Sequence, residues 1–122
     1  MHNLIGLKVF VYFNLHKKVF SIKAMEGVDK GRVVGYSTHV LLRDAKTKVS
    51  EAGRQRVLRE GRKNVHAGLV GVLESLGDLG RLEGKSVVYN PYKYSTFVLA
   101  GCLTEPPENS KYYLHNKRVT LL

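Results

Sequence analysis

One cysteine, Cys102, stands in 122 residues, so no internal disulfide can form. A disulfide-stapled scaffold is excluded, and a reducing cytosol is the natural compartment. Cys102 lies in the apolar run "VLAGCL", which predicts a small buried hydrophobe rather than a nucleophile. The histidines His2, His16, His39, His66 and His115 are scattered, and no Cys/His spacing fits a metal site. There is no P-loop and no GxGxxG after a strand. The opening "MHNLIGLKVFVYF" is apolar, but it lacks a basic leader and a cleavage signature, and Lys8 interrupts it. It is too short to span a bilayer and reads as a first strand rather than a signal peptide. Acidic residues are scarce: 10 Asp and Glu against 20 Lys and Arg, for a net charge of +10 and a pI near 9.9. Such an imbalance points to an anionic partner, whether nucleic acid, nucleotide or acidic surface. Solubility alone is the plainer alternative. No pair of carboxylates can be placed together and no nucleophile accompanies His66, so the chain reads as a binder rather than an enzyme, with no cofactor or metal.

What is present suits a single domain over 1–122, 43% hydrophobic and 25% charged. "KVFVYF" (8–13) is β-rich on both faces and predicts a central strand. "KVFSIKA" (18–24) alternates, with Phe20, Ile22 and Ala24 one way and Val19, Ser21 and Lys23 the other, so it forms a hairpin with the first. "RVVGY" (32–36) and "THVLLRD" (38–44) read as strands around a bend at Gly35 and Ser37. "VHAGLVGVLESL" (65–76) fits a strand through at least Val72, with a second short helix as the alternative. A Gly-rich loop (77–85), strands near 86–91 and 95–103, a turn at "TEPPENS" and a hairpin-like ending at 112–122 follow. The sum is an α+β domain: an antiparallel β-sheet of five or more strands with one main helix. One short polar helix cannot cover both faces of such a sheet. One face therefore stays wet or meets another subunit, and an oligomer is expected.

The main helix starts at Ser50, a good N-cap, with Glu51 in the first turn, and stops at Gly61 to Asn64. At 100° per residue, Gly53, Val57, Leu58 and Gly61 share one arc, while Arg56, Arg59, Arg62 and Lys63 share the opposite one. That basic stripe is either plainly solvated or a grip on backbone phosphates or a second ligand. Arg54 breaks the pattern by lying on the apolar arc. Three explanations stand: snorkelling to water, pairing with a buried carboxylate such as Asp44 or Glu74, or lining a pocket as a bidentate phosphate clasp. Gly53 and Gly61 each weaken a helix, so their presence implies close approach by a partner helix or a ligand.

"YNPYKYSTF" (89–97) sets Tyr89, Tyr92 and Phe97 around Asn90 and Pro91. Aromatic faces stack on bases, and an Asn amide both donates to and accepts from a base edge. Core aromatics around an Asn-Pro turn are the alternative. His66, just after the helix, is placed to hydrogen-bond a phosphate. The candidate ligand-binding set is thus Arg54, His66, Tyr89, Asn90, Tyr92 and Phe97.

Three stretches, "YFNLHKKVFSIKA", "VSEAGRQRVLREGRKNVHA" and "YNPYKYSTFV", resemble small phage proteins of the first Thoeris anti-defence family. The similarity spans the first strand to about Val98. Such proteins bind cyclic ADP-ribose isomers made by bacterial TIR-domain enzymes and sequester them undegraded. Some also hold cyclic di- or trinucleotides at a second site, and they assemble as dimers and trimers of dimers. The resemblance implies a cyclic-nucleotide sponge in the host bacterial cytoplasm, with Arg54 clasping pyrophosphate near a subunit interface. One departure stands out: Gly68 follows "KNVHA", where an aromatic is expected to stack on the ligand's base. Either Tyr89 or Phe97 takes over, or ligand choice has changed. A basic nucleic-acid-binding phage protein and a cyclic-nucleotide hydrolase are the competing readings.

Overall fold

The computed structural model describes residues 4–62 and 64–122, so Lys63 of the basic stripe lies outside the described residues. The strands are β1 (Lys8–Asn14), β2 (Val19–Ala24), β3 (Val33–Ser37), β4 (His39–Val49), β5 (Ala67–Ser75), β6 (Lys85–Val88), β7 (Val98–Leu99), β8 (Ser110–His115) and β9 (Arg118–Leu121), with one helix, α1 (Glu51–Glu60), between β4 and β5. They form one nine-stranded sheet in the order β3-β2-β1-β5-β4-β8-β9-β6-β7. Every pairing is antiparallel. The expected α+β architecture is what folds, with β1 central and 67–75 a strand rather than a second helix.

The sheet does not lie flat. In a flat sheet, β1 and the β8–β9 turn would stand three to four strand spacings apart, roughly 14–19 Å. Instead the Lys117 ammonium sits 5.6 Å from the centre of the Phe13 ring. β4 supplies the bend. Its register shifts between Arg43 and Lys46, where Asp44 takes φ 48°. Such a bulge adds twist and redirects the strand without ending it. β4 therefore runs on to Val49, past the expected end at Asp44.

The curl lets strands from both halves share one core, including Val9, Val11, Ile22, Leu42, Leu69 and Tyr112. The core is thus mainly sheet against sheet, and Val57 is the buried residue of α1. Period-2 alternation sets the two faces. Val9, Val11 and Ile22 point inward, while Lys8, Phe10, Tyr12 and Lys23 point out.

Helix α1 is bounded as the sequence predicts. The Ser50 hydroxyl accepts from the Gly53 amide at 3.2 Å. Gly61 turns left-handed at φ 66°, and its amide donates to the Val57 carbonyl. Two expectations are corrected. Gly53 admits no partner helix, because a Cβ there would lie 2.5 Å from His66 Cβ, so the chain's own return strand makes the close approach. Cys102 is exposed in the turn after β7, since that strand is only Val98–Leu99, and its thiol pairs with the Thr104 hydroxyl at 3.1 Å.

Candidate ligand cavity

A cavity of about 750 Å³ opens where the two halves of the sheet face each other. Its apolar wall includes Val11, Phe20, Leu69, Val87 and Leu114, with Val57 from α1. Tyr89 and Phe97 add aromatic surface, and His66, Asn90, Lys117 and Arg118 supply polar groups. That volume and mix, mostly apolar with few convergent polar groups, suit a nucleotide-sized ligand.

Short local contacts fix each group. The Ser50 amide donates to the His66 carbonyl at 2.7 Å, which ties the start of α1 to the start of β5. His66 thereby packs on Gly53, and its Nε2 shares a 2.7 Å hydrogen bond with the Tyr89 hydroxyl. Tyr89 in turn stacks on Phe97, with centroids 5.0 Å apart and planes 29° off parallel. Burial pushes the Tyr89 hydroxyl up from its ordinary 10.0, against the opposing pull of the Arg54 charge. The phenol therefore keeps its proton at neutral pH.

Asn90 opens a tight turn. Its carbonyl accepts from the amides of Lys93 and Tyr94. Its side-chain Oδ1 accepts from the Tyr92 amide at 2.9 Å, an Asx turn. The oxygen is thus committed, and Nδ2 is the part of the amide left to face a ligand. Arg54 holds this turn from behind. Its Nε donates to the carbonyls of Pro91 and Tyr94, each at 3.0 Å, and a terminal nitrogen meets Glu51 Oε1 at 3.2 Å.

The position of Arg54 differs from all three sequence readings, although it does meet a carboxylate, the exposed Glu51 of its own helix. The side chain is 16% exposed, so it does not snorkel. Asp44 pairs with Arg43 and Glu74 with Lys111, so neither is its carboxylate. Nor does Arg54 line the cavity; it positions the Asn90 turn that does. The hydrogen bond between Gln55 and Glu51, joined by the nearby Arg54 charge, holds the Glu51 carboxyl below its ordinary range. Glu51 is thus ionised where the guanidinium needs it.

The structure brings His66, Tyr89, Asn90, Tyr92 and Phe97 to one cavity, although Tyr92 is 64% exposed. Arg56, Arg59 and Arg62 are exposed and lie apart from it. Sequence reasoning missed Lys117 and Arg118, the cations at the cavity. Their signal was the hairpin "HNKR": Asn116 and Lys117 both take positive φ, 52° and 63°, the tight two-residue turn that aims them back over the sheet. Gly68 also has a local cause. A Cβ there would strike the Val11 carbonyl and come within 2.8 Å of the Phe10 ring. The strand leaves no room for an aromatic at 68, and Tyr89 stacked on Phe97, with Phe13 and Phe20, gives the cavity its aromatic surface.

The family model described as Mycobacterium phage L5 gene 82 protein matches residues 3–121. The gene 82 protein of Mycobacterium phage L5 is 50% identical over 100 residues, covering 77% of this chain and 79% of that protein. No solved structure matches. No helix among the described residues is long and apolar enough to cross a membrane.

Proposed function

The chain belongs to the Mycobacterium phage L5 gene 82 protein family, and from that footing we propose that this phage protein binds a cyclic nucleotide signal and sequesters it unchanged. The ligand class is a cyclic ADP-ribose isomer, and the effect is to block a Thoeris-type defence in the host cytoplasm. One observation carries the reading: a single cavity joins an aromatic stack, Tyr89 on Phe97, to two cations, Lys117 and Arg118. A base stacks on such rings and a pyrophosphate pairs with such cations. Asn90 Nδ2 donates to a base or ribose acceptor. His66 is tied to Tyr89 rather than to a nucleophile, which favours holding over cleaving. Arg54 acts through the turn it grips, not on the phosphate. Assembly as a dimer or a trimer of dimers completes the proposal.

The test is one incubation with a cyclic ADP-ribose isomer, followed by heat denaturation and mass analysis of the supernatant. Release of intact ligand supports the sponge, and a cleaved product replaces it with a hydrolase. Calorimetry of Arg118→Ala should show a loss of about 1–3 kcal/mol, the scale of a charge-assisted contact. A parent protein that takes up no cyclic nucleotide, yet shifts duplex DNA until Arg56, Arg59 and Arg62 are changed to Gln, hands the function to the helix stripe. Light scattering that finds only a 13.7 kDa species at micromolar concentration removes the oligomer.

A further inference from the structure

The outward face of the sheet is built differently from the cavity. Directly paired residues share a face, so the registers lay out its rows. One row runs Val33, Lys23, Phe10, Val70 and Lys46 across five strands. The next contains Tyr36, Ser21 and Tyr12, with Lys48 paired to Gly68 at its far side. Lys8, paired with Val72, lies one row the other way. Tyr36 is 51% exposed, Phe10 and Tyr12 are half-buried, and the rings of these two lie 5.9 Å apart. Among the described residues, Lys8, Lys23, Lys46 and Lys48 make no ion pair. The carboxylates at the margin are already engaged: Asp44 with Arg43 at 3.0 Å and Glu74 with Lys111 at 3.2 Å. Lys17 lies 4.9 Å from the Tyr36 ring and adds charge at the same edge.

Aromatic rings grouped on one sheet face, with lysines free of ion pairs around them, complement a ligand with exposed base faces and a repeating negative charge. We infer that this outer face binds single-stranded nucleic acid, bases stacking on Phe10, Tyr12 and Tyr36 and phosphates lying along Lys8, Lys23, Lys46 and Lys48. A duplex hides its base faces within the stack, so the rings of this face would have no base to stack on. From Tyr36 on β3 to Lys48 on β4 the face crosses four strand spacings, roughly 19 Å. That is a track for a short segment rather than a pocket for one nucleotide. Gly68 permits the arrangement, because the space a side chain would fill is taken by Phe10. The inference needs no cyclic ligand; Tyr12 borders the cavity as well, while Phe10, Tyr36 and the four lysines do not.

Fluorescence anisotropy with a labelled twelve-residue oligodeoxythymidylate tests it on the full chain. The parent should bind with an affinity that falls as salt rises, at a logarithmic slope of roughly −3 for four phosphates contacted. Tyr36→Ala should weaken binding at least about fivefold, the low end for one stacked base. Tyr36→Phe should retain it, and neither change should alter the thermal melt. Lys23→Gln with Lys46→Gln and Lys48→Gln should reduce the slope by roughly 2. Arg56→Gln with Arg59→Gln and Arg62→Gln should leave binding as it is. The inference is overturned if the oligonucleotide does not bind, if Tyr36→Ala binds like the parent, or if the helix triple abolishes binding. Equal or tighter binding of a duplex, or equally good competition by polyglutamate, overturns it as well.

Discussion

Two regions of this small protein set aromatic rings beside cations: the cavity, with Tyr89, Phe97, Lys117 and Arg118, and the outer face of β1 to β5. In the cavity the key polar groups have fixed partners. His66 holds Tyr89, Asn90 Oδ1 holds the Tyr92 amide, and Arg54 spans two carbonyls and a carboxylate. On the outer face the lysines stand without ion pairs, and the rings are partly exposed. The first arrangement is preorganised and suits one ligand shape, because little ordering remains to be done on binding. The second is adaptable and suits a polymer whose repeating units engage it in more than one register. Charge alone does not distinguish them; the difference lies in how many hydrogen-bonding groups are committed before the ligand arrives.

Gly68 joins the two regions, since it borders the cavity and gives its side-chain space to Phe10. Gly68→Ala should therefore break the comparison altogether. Strand β1, which carries the Val11 carbonyl, must shift away from the new Cβ on β5, and the melt should report a loss of about 3 kcal/mol, the cost of overpacking a buried strand. A variant as stable as the parent would mean that the strands slide freely and that neither face is fixed.

Arg54→Ala should damage only the cavity. It strands the Pro91 and Tyr94 carbonyls and removes an ion pair, so a stability loss of about 2 kcal/mol is expected by denaturant titration. Nucleotide affinity should fall with it as the Asn90 turn loosens, while oligonucleotide binding holds. Arg54→Lys should recover little, because an ammonium cannot place an Nε–H between both carbonyls while a terminal nitrogen meets Glu51. Intact stability in Arg54→Ala would show that the turn stands without its clamp.

A smaller effect comes from Tyr89→Phe, which removes one hydrogen bond and should cost about 1 kcal/mol. It also carries a pH signature. The folded protein holds the Tyr89 proton more tightly than the unfolded chain does. Stability tied to it is complete below the ordinary tyrosine value of 10.0 and declines as pH rises through the raised one. Tyr112, pushed up to about 12 by burial, works in the same direction in parent and variant alike. The parent should thus lose stability faster than Tyr89→Phe above pH 10, in melts taken at intervals of pH. Parallel curves would place Tyr89 in water. Smallest of all, Tyr36→Ala should change the melt by less than about 0.5 kcal/mol, as expected of an exposed ring. A larger drop would mean that the outer ring is a structural part and not a free platform.

Local chemistry was legible in the sequence, and distant chemistry was not. Ser50 and Gly61 announced both ends of α1, and the alternation around Phe20 and Ile22 announced β2. The aromatics Tyr89, Tyr92 and Phe97, with His66 and Asn90, could be grouped from the sequence, and they line one cavity. Arg54 could be placed on the dry face, but its partners lie 37 and 40 residues away and are backbone carbonyls, which carry no signal in side-chain identity. Lys117 and Arg118 looked like any solvated turn until the sheet curled and brought them over Phe13. The curl itself hangs on a bulge at Asp44, a residue whose type permits a left-handed backbone but does not demand it.

The strand order also governs how the chain comes to be folded. β1 completes its pairing only with β5, Val11 beside Leu69, and β4 completes its own only with β8, Val40 beside Leu114. While the ribosome is still working, β1 has β2 on one side and a bare edge on the other, and the long β4 has no strand partner yet. Non-local sheets of this kind fold on the order of milliseconds to seconds, slowly beside helical domains of equal size. Lys46 and Lys48 lie along β4, that waiting strand, and charge on an open strand edge opposes pairing between unfinished chains.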